Sequence, residues 1–396
     1  MSLLAPAIFT VLHLFSGSGG LAKGFHDAGF TSAGNIDMDP RACIDLHNLC
    51  GTPAIEADIG AMGPADLLAL VPECPDVAAT SAPCLPGDGL VMTPHGPRRI
   101  DSMRVDDLVL THTGRYCRVD QVNTRAYAGT LHGLRLQGTL DTDIQWYTDE
   151  HPVWVRRIVR GTNKIRTLRE PKWVSAGKVE VNDRVGFPVP REQEGTAAAF
   201  VGQFGNPQTT VRCGVPYTTP RIHDLREFSM DPALWVLLGA YIGDGDRRNK
   251  GSYTIRYSVG ARNSEAYTLV SDALISLGLT FSVSAEKGEK NVRIQASSRH
   301  LWQLCGLFGS SSHTKHIPES LMCLEDGPMR ALVRGLRATD GSDRPNGWCI
   351  GSVSLDLIRG LQRLMLRMGV FGSVSRLARA GKAIIEGRVV NISDSY

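Results

Sequence analysis

Three kinds of hydrophobic pattern follow one another along the chain. Residues 8–15 form an apolar run broken only by Thr10 and His13, leading into Ser16-Gly17-Ser18-Gly19-Gly20. A helical pattern over residues 21–28 follows and stops at Gly29. This predicts strand, glycine loop and helix, with the helix N-terminus offering free N–H groups to a ligand. Further apolar stretches end at Asn35-Ile36-Asp37-Met38-Asp39, Ala57-Asp58-Ile59 and Asp76-Val77-Ala78-Ala79, predicting three more strands. From Cys84 the pattern becomes short β-rich runs punctuated by Gly and Pro, without a long helical period until about residue 231. That segment reads as all-β.

The last part of the chain repeats itself. Asp231-Pro232 is a helix start, with Asp231 as N-cap and Pro232 in the first turn. Leu234, Leu237, Leu238 and Tyr241 continue the helix to Gly243-Asp244-Gly245. A second helix begins near Gly327-Pro328 and runs through Leu332, Val333 and Leu336 to Thr339-Asp340-Gly341. Gly239 precedes Asp244, and Gly335 precedes Asp340, by the same five positions. An alternating strand at 252–260, an amphipathic helix at 264–279 and a hairpin at 281–297 follow the first helix. After the second, 348–353 reads as the strand, 355–368 as the helix and 371–392 as the hairpin.

Two glycines that let the helices pack closely would bring Asp244 and Asp340 together. Adjacent carboxylates repel unless a divalent cation lies between them, and hard oxygen ligands favour Mg²⁺. Such a site suits phosphodiester hydrolysis. The polar strand faces would form a saddle for double-stranded DNA, with Arg256, Arg262 and Arg293 as candidate phosphate contacts. The plain alternative, that each Asp-Gly merely ends its helix, is outweighed by two copies at matched spacing.

Composition narrows the class. The chain has 396 residues, room for two or three domains, with 42% hydrophobic and 21% charged residues. A net charge of +3 means that any DNA-binding surface is local. Nine cysteines without a CxxC pair argue against a zinc ribbon and a secreted disulfide framework. There is no membrane-length apolar run, and residues 1–10 lack the basic start of a signal peptide. A monomeric cytoplasmic protein is expected.

The strings LHLFSGSGGLAKGFHDAGF, NIDMDP, ADIG and PDVAATSAPC resemble, in order and spacing, the first four motifs of DNA cytosine-5 methyltransferases. The resemblance implies a partial Rossmann-like α/β segment over residues 1–83. It implies S-adenosyl-L-methionine held by Phe15, Gly17, Gly19 and Gly20, with Asp37 on the ribose, Met38 on the adenine, and Asp58 with Ile59 on the base edge. The family's Pro-Cys carries the thiolate that attacks a flipped-out cytosine. After Pro83-Cys84 this chain departs from the family, continuing Leu85-Pro86-Gly87-Asp88, and the later motifs with their catalytic Glu do not follow. Methyl transfer is therefore not expected.

A cysteine at the head of a β segment, with Thr148-x-x-His151 later, suits thiol attack on a carbonyl assisted by an imidazole. CLPGDGLVMTPHGPRRIDSM, TDEHPVWV and WVSAGKVEVNDRVGFPVPR resemble the N-terminal splicing blocks of inteins, which use the all-β Hint fold. This implies a Hint domain over 84–191. Cys84 would take the acyl group of Pro83 by N-to-S shift, with Thr148 and His151 assisting. Pro83 is an unusual acyl donor because its φ is fixed. Residues 192–229 read as a linker.

LLGAYIGDG and LVRGLRATDG resemble the paired motifs of LAGLIDADG homing endonucleases of the intein type. KHIPESL and LQRLMLRMGVFGSV resemble two further blocks. This implies an α+β domain over 230–396 with a pseudo-twofold repeat, Asp244 and Asp340 as metal ligands and Lys315 near the scissile phosphate. Arg337 stands where the second motif often has an acid. The second repeat ends earlier than the first, and the terminal His-Asn of an intein does not follow, so the reading expects a C-terminally truncated composite precursor. A split-intein half with a separate C-terminal fragment as partner, a stand-alone homing endonuclease and an inactive DNA-binding relic are the alternatives.

Overall fold

A computed structural model describes residues 9–14, 16, 19–59, 62–71, 75–80, 85–120, 122, 124, 127–160, 166–204, 209–212, 214–218, 224–248, 253–261, 264–285, 292–377, 380–385 and 388–396. The candidate residues Phe15, Gly17, Cys84 and Arg262 lie outside them. No helix among the described residues is long and apolar enough to cross a membrane.

The first unit alternates strand and helix: β1 (Thr10–Leu14), α1 (Gly20–Asp27), β2 (Thr31–Asp37), α2 (Pro40–Cys50), β3 (Ile55–Glu56), α3 (Pro64–Leu70) and β4 (Val77–Thr80). The strands are parallel, in the order β3-β2-β1-β4. Its core is small: Leu12, Ile36 and Val71 are buried together, with Leu14, Ile55 and Ile59 against them.

The second unit is built from short strands, as its turn-rich sequence predicts. They are β5 (Leu90–Thr93), β6 (Gly96–Arg99), β7 (Leu108–Leu110), β8 (Tyr116–Arg118), β9 (Leu131–Arg135), β10 (Ile144–Thr148), β11 (Pro152–Arg156), β12 (Ile158–Arg160), β13 (Arg166–Leu168), β14 (Lys172–Ser175) and β15 (Arg184–Val185). β11 is central to a three-stranded sheet between β14 and β15, and the others pair in twos. Val153, Val155 and Ala176 form its small core.

The third unit begins earlier than the sequence suggests. Residues 192–229 are not a free linker, since α4 (Thr196–Gly202) sends Ala197, Phe200 and Val201 into the main core. Glu325 caps this helix from far along the chain, accepting from the N–H of Gly195 at 2.8 Å and of Ala197 at 2.9 Å. His300 bridges the same segment, accepting at Nδ1 from the Leu225 N–H and lying 2.9 Å from the Val201 carbonyl at Nε2. β16 (Thr209–Arg212) and β17 (Val215–Thr218) form a hairpin between these anchor points.

Then comes the repeat. The first copy is α5 (Pro232–Asp244), β18 (Gly245–Arg247), β19 (Thr254–Val259), α6 (Glu265–Ser276), β20 (Phe281–Ala285), β21 (Val292–Ser297) and α7 (Arg299–Gly306). Its four strands make one antiparallel sheet, β18-β19-β21-β20. Ile255, Tyr257, Val259, Val292, Ile294 and Ala296 point into the core, matching the alternation in the sequence. The second copy is α8 (Asp326–Asp340), β22 (Ser342–Arg344), β23 (Gly347–Cys349), α9 (Leu355–Arg367), β24 (Gly381–Ile385) and β25 (Arg388–Ile392). The strand expected over 348–353 ends early, because β23 turns back onto β22 while Ser352 exchanges backbone hydrogen bonds with Tyr396. The second copy therefore carries two separate hairpins.

The second and third units touch along α9. The Gly138 carbonyl accepts from the Val374 N–H at 2.9 Å and from Gln362 Nε2 at 3.1 Å. Arg359 reaches Asp143 at 2.5 Å, and Leu140 is buried with Ile358 and Val374.

Candidate functional site

Asp231 caps α5 by accepting from the Ala233 N–H, which fixes where the helix starts and so where it ends, at Asp244. α5 and α8 cross through their glycines. A Cβ on Gly239 would overlap the Leu332 carbonyl oxygen, and one on Gly335 would overlap that of Val236. The contact is backbone against backbone and reciprocal. It continues to the helix ends, where a Cβ on Gly243 would meet the Thr339 hydroxyl and, at 3.1 Å, the Asp340 Cβ.

Lys315 lies where the two acids meet. It is 8% exposed, and its Nζ donates to the carbonyls of Gly243 at 2.7 Å and Gly245 at 3.0 Å, either side of Asp244. Tyr241 presents its ring 5.4 Å below the ammonium and donates its hydroxyl to the Gly309 carbonyl at 2.7 Å. The Asp340 carboxyl is pushed up to about 6, by burial first and then by the charge of Asp244, while Lys315 pulls it back. Asp244 is raised by its partial burial and pulled down by Lys315. Burial lowers the Lys315 ammonium, and the two carboxylates oppose that. The three groups predicted from the sequence thus converge. Tyr241 and Ser354, whose hydroxyl holds the Lys315 carbonyl at 2.6 Å, escaped sequence reasoning. The available signal was positional: Ser354 stands before α9 as Ser264 stands before α6.

The polar sheet face carries Thr254, Arg256 and Ser258 beside Arg293, Gln295 and Ser297. Arg256 does not present a free guanidinium, because Asp246, its cross-strand neighbour on β18, pairs with it from both oxygens. As a phosphate contact it would first have to leave that carboxylate. Arg293 is exposed on β21 opposite Ser258 and Ser284.

In the β-rich unit, Thr148 closes β10 and is buried, and the His151 N–H donates to its carbonyl at 3.1 Å. The His151 ring packs 4.7 Å from that of Tyr147, and burial lowers its imidazole to about 4. It is therefore neutral at pH 7. The turn is held by Ala176, whose N–H donates to the His151 carbonyl at 2.8 Å.

In the first unit the parallel sheet collects the strand C-termini at one edge. Gly19, in the left-handed region at φ 90°, and Gly20 follow β1. Asp37 ends β2 and Met38 follows it, and Asp58 and Ile59 follow β3. Asp37 accepts from the Asp39 N–H at 2.9 Å.

Residues 327–394 match the family model of the LAGLIDADG-like domain. The chain is similar to the ATP-dependent DNA helicase Hel308 of Thermococcus kodakarensis, 23% identical over 337 residues, covering 76% of this chain and 29% of the helicase. It is similar to the iron-sulfur cluster assembly SufBD family protein Rv1461 of Mycobacterium tuberculosis, 25% identical over 336 residues, covering 79% of this chain and 36% of that protein. A separate similarity is to the type II methyltransferase M.AquIA of a Picosynechococcus species, 48% identical over 50 residues, covering 12% of this chain and 20% of the methyltransferase. The chain thus spans between a fifth and about a third of the length of these relatives. Among solved structures, I-DmoI in complex with DNA and Mn aligns at 17% identity over 41% of this chain and 90% of that one, with a TM-score of 0.28. Full-length DUF199/WhiA from Thermatoga maritima aligns at 14% identity over 50% of this chain and 55% of its own, also with a TM-score of 0.28. The family match covers α8 and the elements after it, so the C-terminal part of the chain carries a LAGLIDADG-like domain.

Proposed function

We propose that the third unit is a DNA homing endonuclease, carried with a protein-splicing domain inside a DNA cytosine-5 methyltransferase sequence. The endonuclease reading rests on Asp244 and Asp340 meeting beside Lys315 at the ends of two helices that touch through their backbones.

The donor set fits a divalent cation: two carboxylates raised by burial, with the charge of Asp244 further hindering the ionisation of Asp340. Bound there, Mg²⁺ would supply Lewis-acid stabilisation of a phosphoryl oxygen and a more acidic water. The chain's own groups do the rest. Above about pH 6 Asp340 is ionised and able to bind, and Lys315 favours the ionised form of Asp244 beside it. Lys315, fixed by two carbonyls at the C-terminal end of α5, holds a positive charge beside them, where it can counter the charge that builds on a phosphate. The test is incubation of the chain and Mg²⁺ with duplex DNA of the uninterrupted methyltransferase gene. Cutting at the insertion codon is expected, with loss of activity in Asp244→Asn and in Asp340→Asn. Full cleavage by both variants would falsify the metal site.

The splicing reading is supported by the turn that joins Thr148 to His151 and by the pattern of relatives. A helicase and an iron-sulfur assembly protein, unrelated by name, match a similar large share of this chain, and a methyltransferase matches a short stretch of it. A transferable insert predicts that pattern. A neutral His151 can take the Cys84 thiol proton and return it to the departing amide nitrogen. Excess dithiothreitol should then release residues 1–83 slowly, more readily in Pro83→Gly, where the acyl donor is no longer constrained. Cys84→Ala should block release and His151→Ala slow it strongly. An intact, folded Pro83→Gly chain after long incubation would rule the splicing assignment out. On the first unit, the strand-end edge with Gly19, Gly20, Asp37, Met38, Asp58 and Ile59 suits S-adenosyl-L-methionine. Binding without methyl transfer is expected, and transfer abolished by Asp37→Ala would overturn this.

A further inference from the structure

Lys315 spends two of its three ammonium protons on the first copy of the repeat, at Gly243 and Gly245. Its backbone is held by the second copy. The carbonyl of Lys315 accepts from Ser354 Oγ at 2.6 Å, and Ser354 is 4% exposed. Two residues on, Ile317 seats against α9 at Gly360, where a Cβ would lie 3.2 Å from the Ile317 Cβ. The lysine is thus strung between the two copies, its head fixed by one and its root by the other.

A serine hydroxyl has one proton to donate and two lone pairs to accept with. Ser354 uses both functions. Its oxygen accepts from the Leu357 N–H at 3.2 Å, capping α9, and its proton goes to Lys315. Ser264 caps α6 in the same manner, accepting from the Tyr267 N–H at 3.2 Å. Capping alone needs only an acceptor, so the proton given to Lys315 is a separable role.

We infer that Ser354 is a positioning residue for DNA cleavage, holding the root of Lys315 so that its ammonium stays on the Gly243 and Gly245 carbonyls beside the two acids. This deepens the endonuclease reading and rests on it. A root that shifts by a fraction of an ångström carries the ammonium with it, and misplacements of that order cost up to about a hundredfold in rate.

Substitutions can divide the two roles. Ser354→Asp keeps a good N-cap and has no proton for the Lys315 carbonyl; Ser354→Gly keeps a tolerable cap without adding charge. Ser354→Thr keeps both functions. With the full chain, Mg²⁺ and duplex DNA spanning the insertion codon, kcat should fall about 10- to 100-fold in the Asp and Gly variants, with KM within about twofold. The Thr variant should stay within about threefold of the unmodified chain in kcat. Unchanged kcat in folded Ser354→Asp and Ser354→Gly, or equal loss in Ser354→Thr, overturns the inference. A second readout needs no cleavage. Acylation of Lys315 by an amine-reactive ester, followed by mass spectrometry, should be slow in the unmodified and Thr chains and about tenfold faster in the Asp and Gly chains, as the anchored amine is released. Equal protection in all four chains overturns the positioning role even if no DNA is cut. Failure of the unmodified chain to cut DNA would instead count against the endonuclease reading.

Discussion

The two copies of the repeat solve one problem in two ways. α5 is buried on every side from Leu234 to Ile242, enclosed by α4, α6, α7 and α8. α8 is amphipathic, with Arg330, Arg334 and Arg337 on an exposed stripe. The first copy closes its strands into one sheet and seals it with α7, whereas the second leaves two hairpins and leans on the β-rich unit through α9. Yet both helices end in an acid at the same place relative to the crossing glycine. Symmetry is kept where the backbones touch and abandoned elsewhere. The shared geometry therefore belongs to the crossing and not to the surroundings of either helix.

The largest effect should come from the crossing itself. Gly239→Val and Gly335→Val each push a side chain into a backbone carbonyl that cannot move aside, and each should cost more than about 3 kcal/mol, seen as loss of folded protein or a large fall in the urea midpoint. If only one of the pair is damaging, the reciprocity is wrong. Gly24 in α1 faces open space, so Gly24→Ala should be neutral or stabilise by up to about 1 kcal/mol.

Next is the cap that the second copy's helix start lends to α4. Glu325→Ala leaves the N–H groups of Gly195 and Ala197 without their acceptor and should cost about 2–3 kcal/mol, read from the denaturation midpoint. A loss below about 0.5 kcal/mol would return residues 192–229 to the status of a linker.

The smallest effect has the opposite sign. Asp340 has a folded pKa of about 6 against an ordinary 3.8, so the folded state holds its proton more tightly than the unfolded state. Its ionisation therefore costs stability. The cost is absent below about pH 4, grows as pH rises towards 6 and is complete above. In metal-free buffer at pH 7.5, Asp340→Asn should be more stable than the unmodified chain by about 1 kcal/mol, the group being only half-buried, or about 2–4 °C in melting temperature. The gain should shrink towards pH 4, and Mg²⁺ should stabilise only the unmodified chain. A melting temperature lowered by Asp340→Asn at pH 7.5 would remove the argument for strain between the acids.

The sequence made the acid pair legible because each half is local: an N-cap, a helical period, a glycine and a terminal Asp, repeated once. The sheet of the first copy was legible for a similar reason, since alternation from Thr254 to Val259 states which face is buried. What escaped is non-local. Glu325 capping a helix some 130 residues earlier, and His300 holding Leu225 and Val201, leave no trace in local pattern. A segment rich in Gly, Gln and Thr around residues 202–210 reads as a linker whether or not its ends are anchored. Arg256 was read as a DNA contact from its place on the polar face, and the cross-strand register that sets Asp246 against it could not be seen before the strands were paired.

The crossing of α5 and α8 has one more consequence. A contact made of side chains can loosen when any of its partners changes, and a sequence must then hold many positions fixed to keep one distance. Here the separation of the two acids is set by the thickness of a peptide backbone, a dimension common to all sequences. Few positions need to be guarded: Gly239 and Gly335 at the crossing, and Gly243 where it meets Thr339 and Asp340. The remaining residues of both helices are free to diverge, which lets a chain that holds two copies of one motif lose nearly every other likeness between them and still keep a common centre.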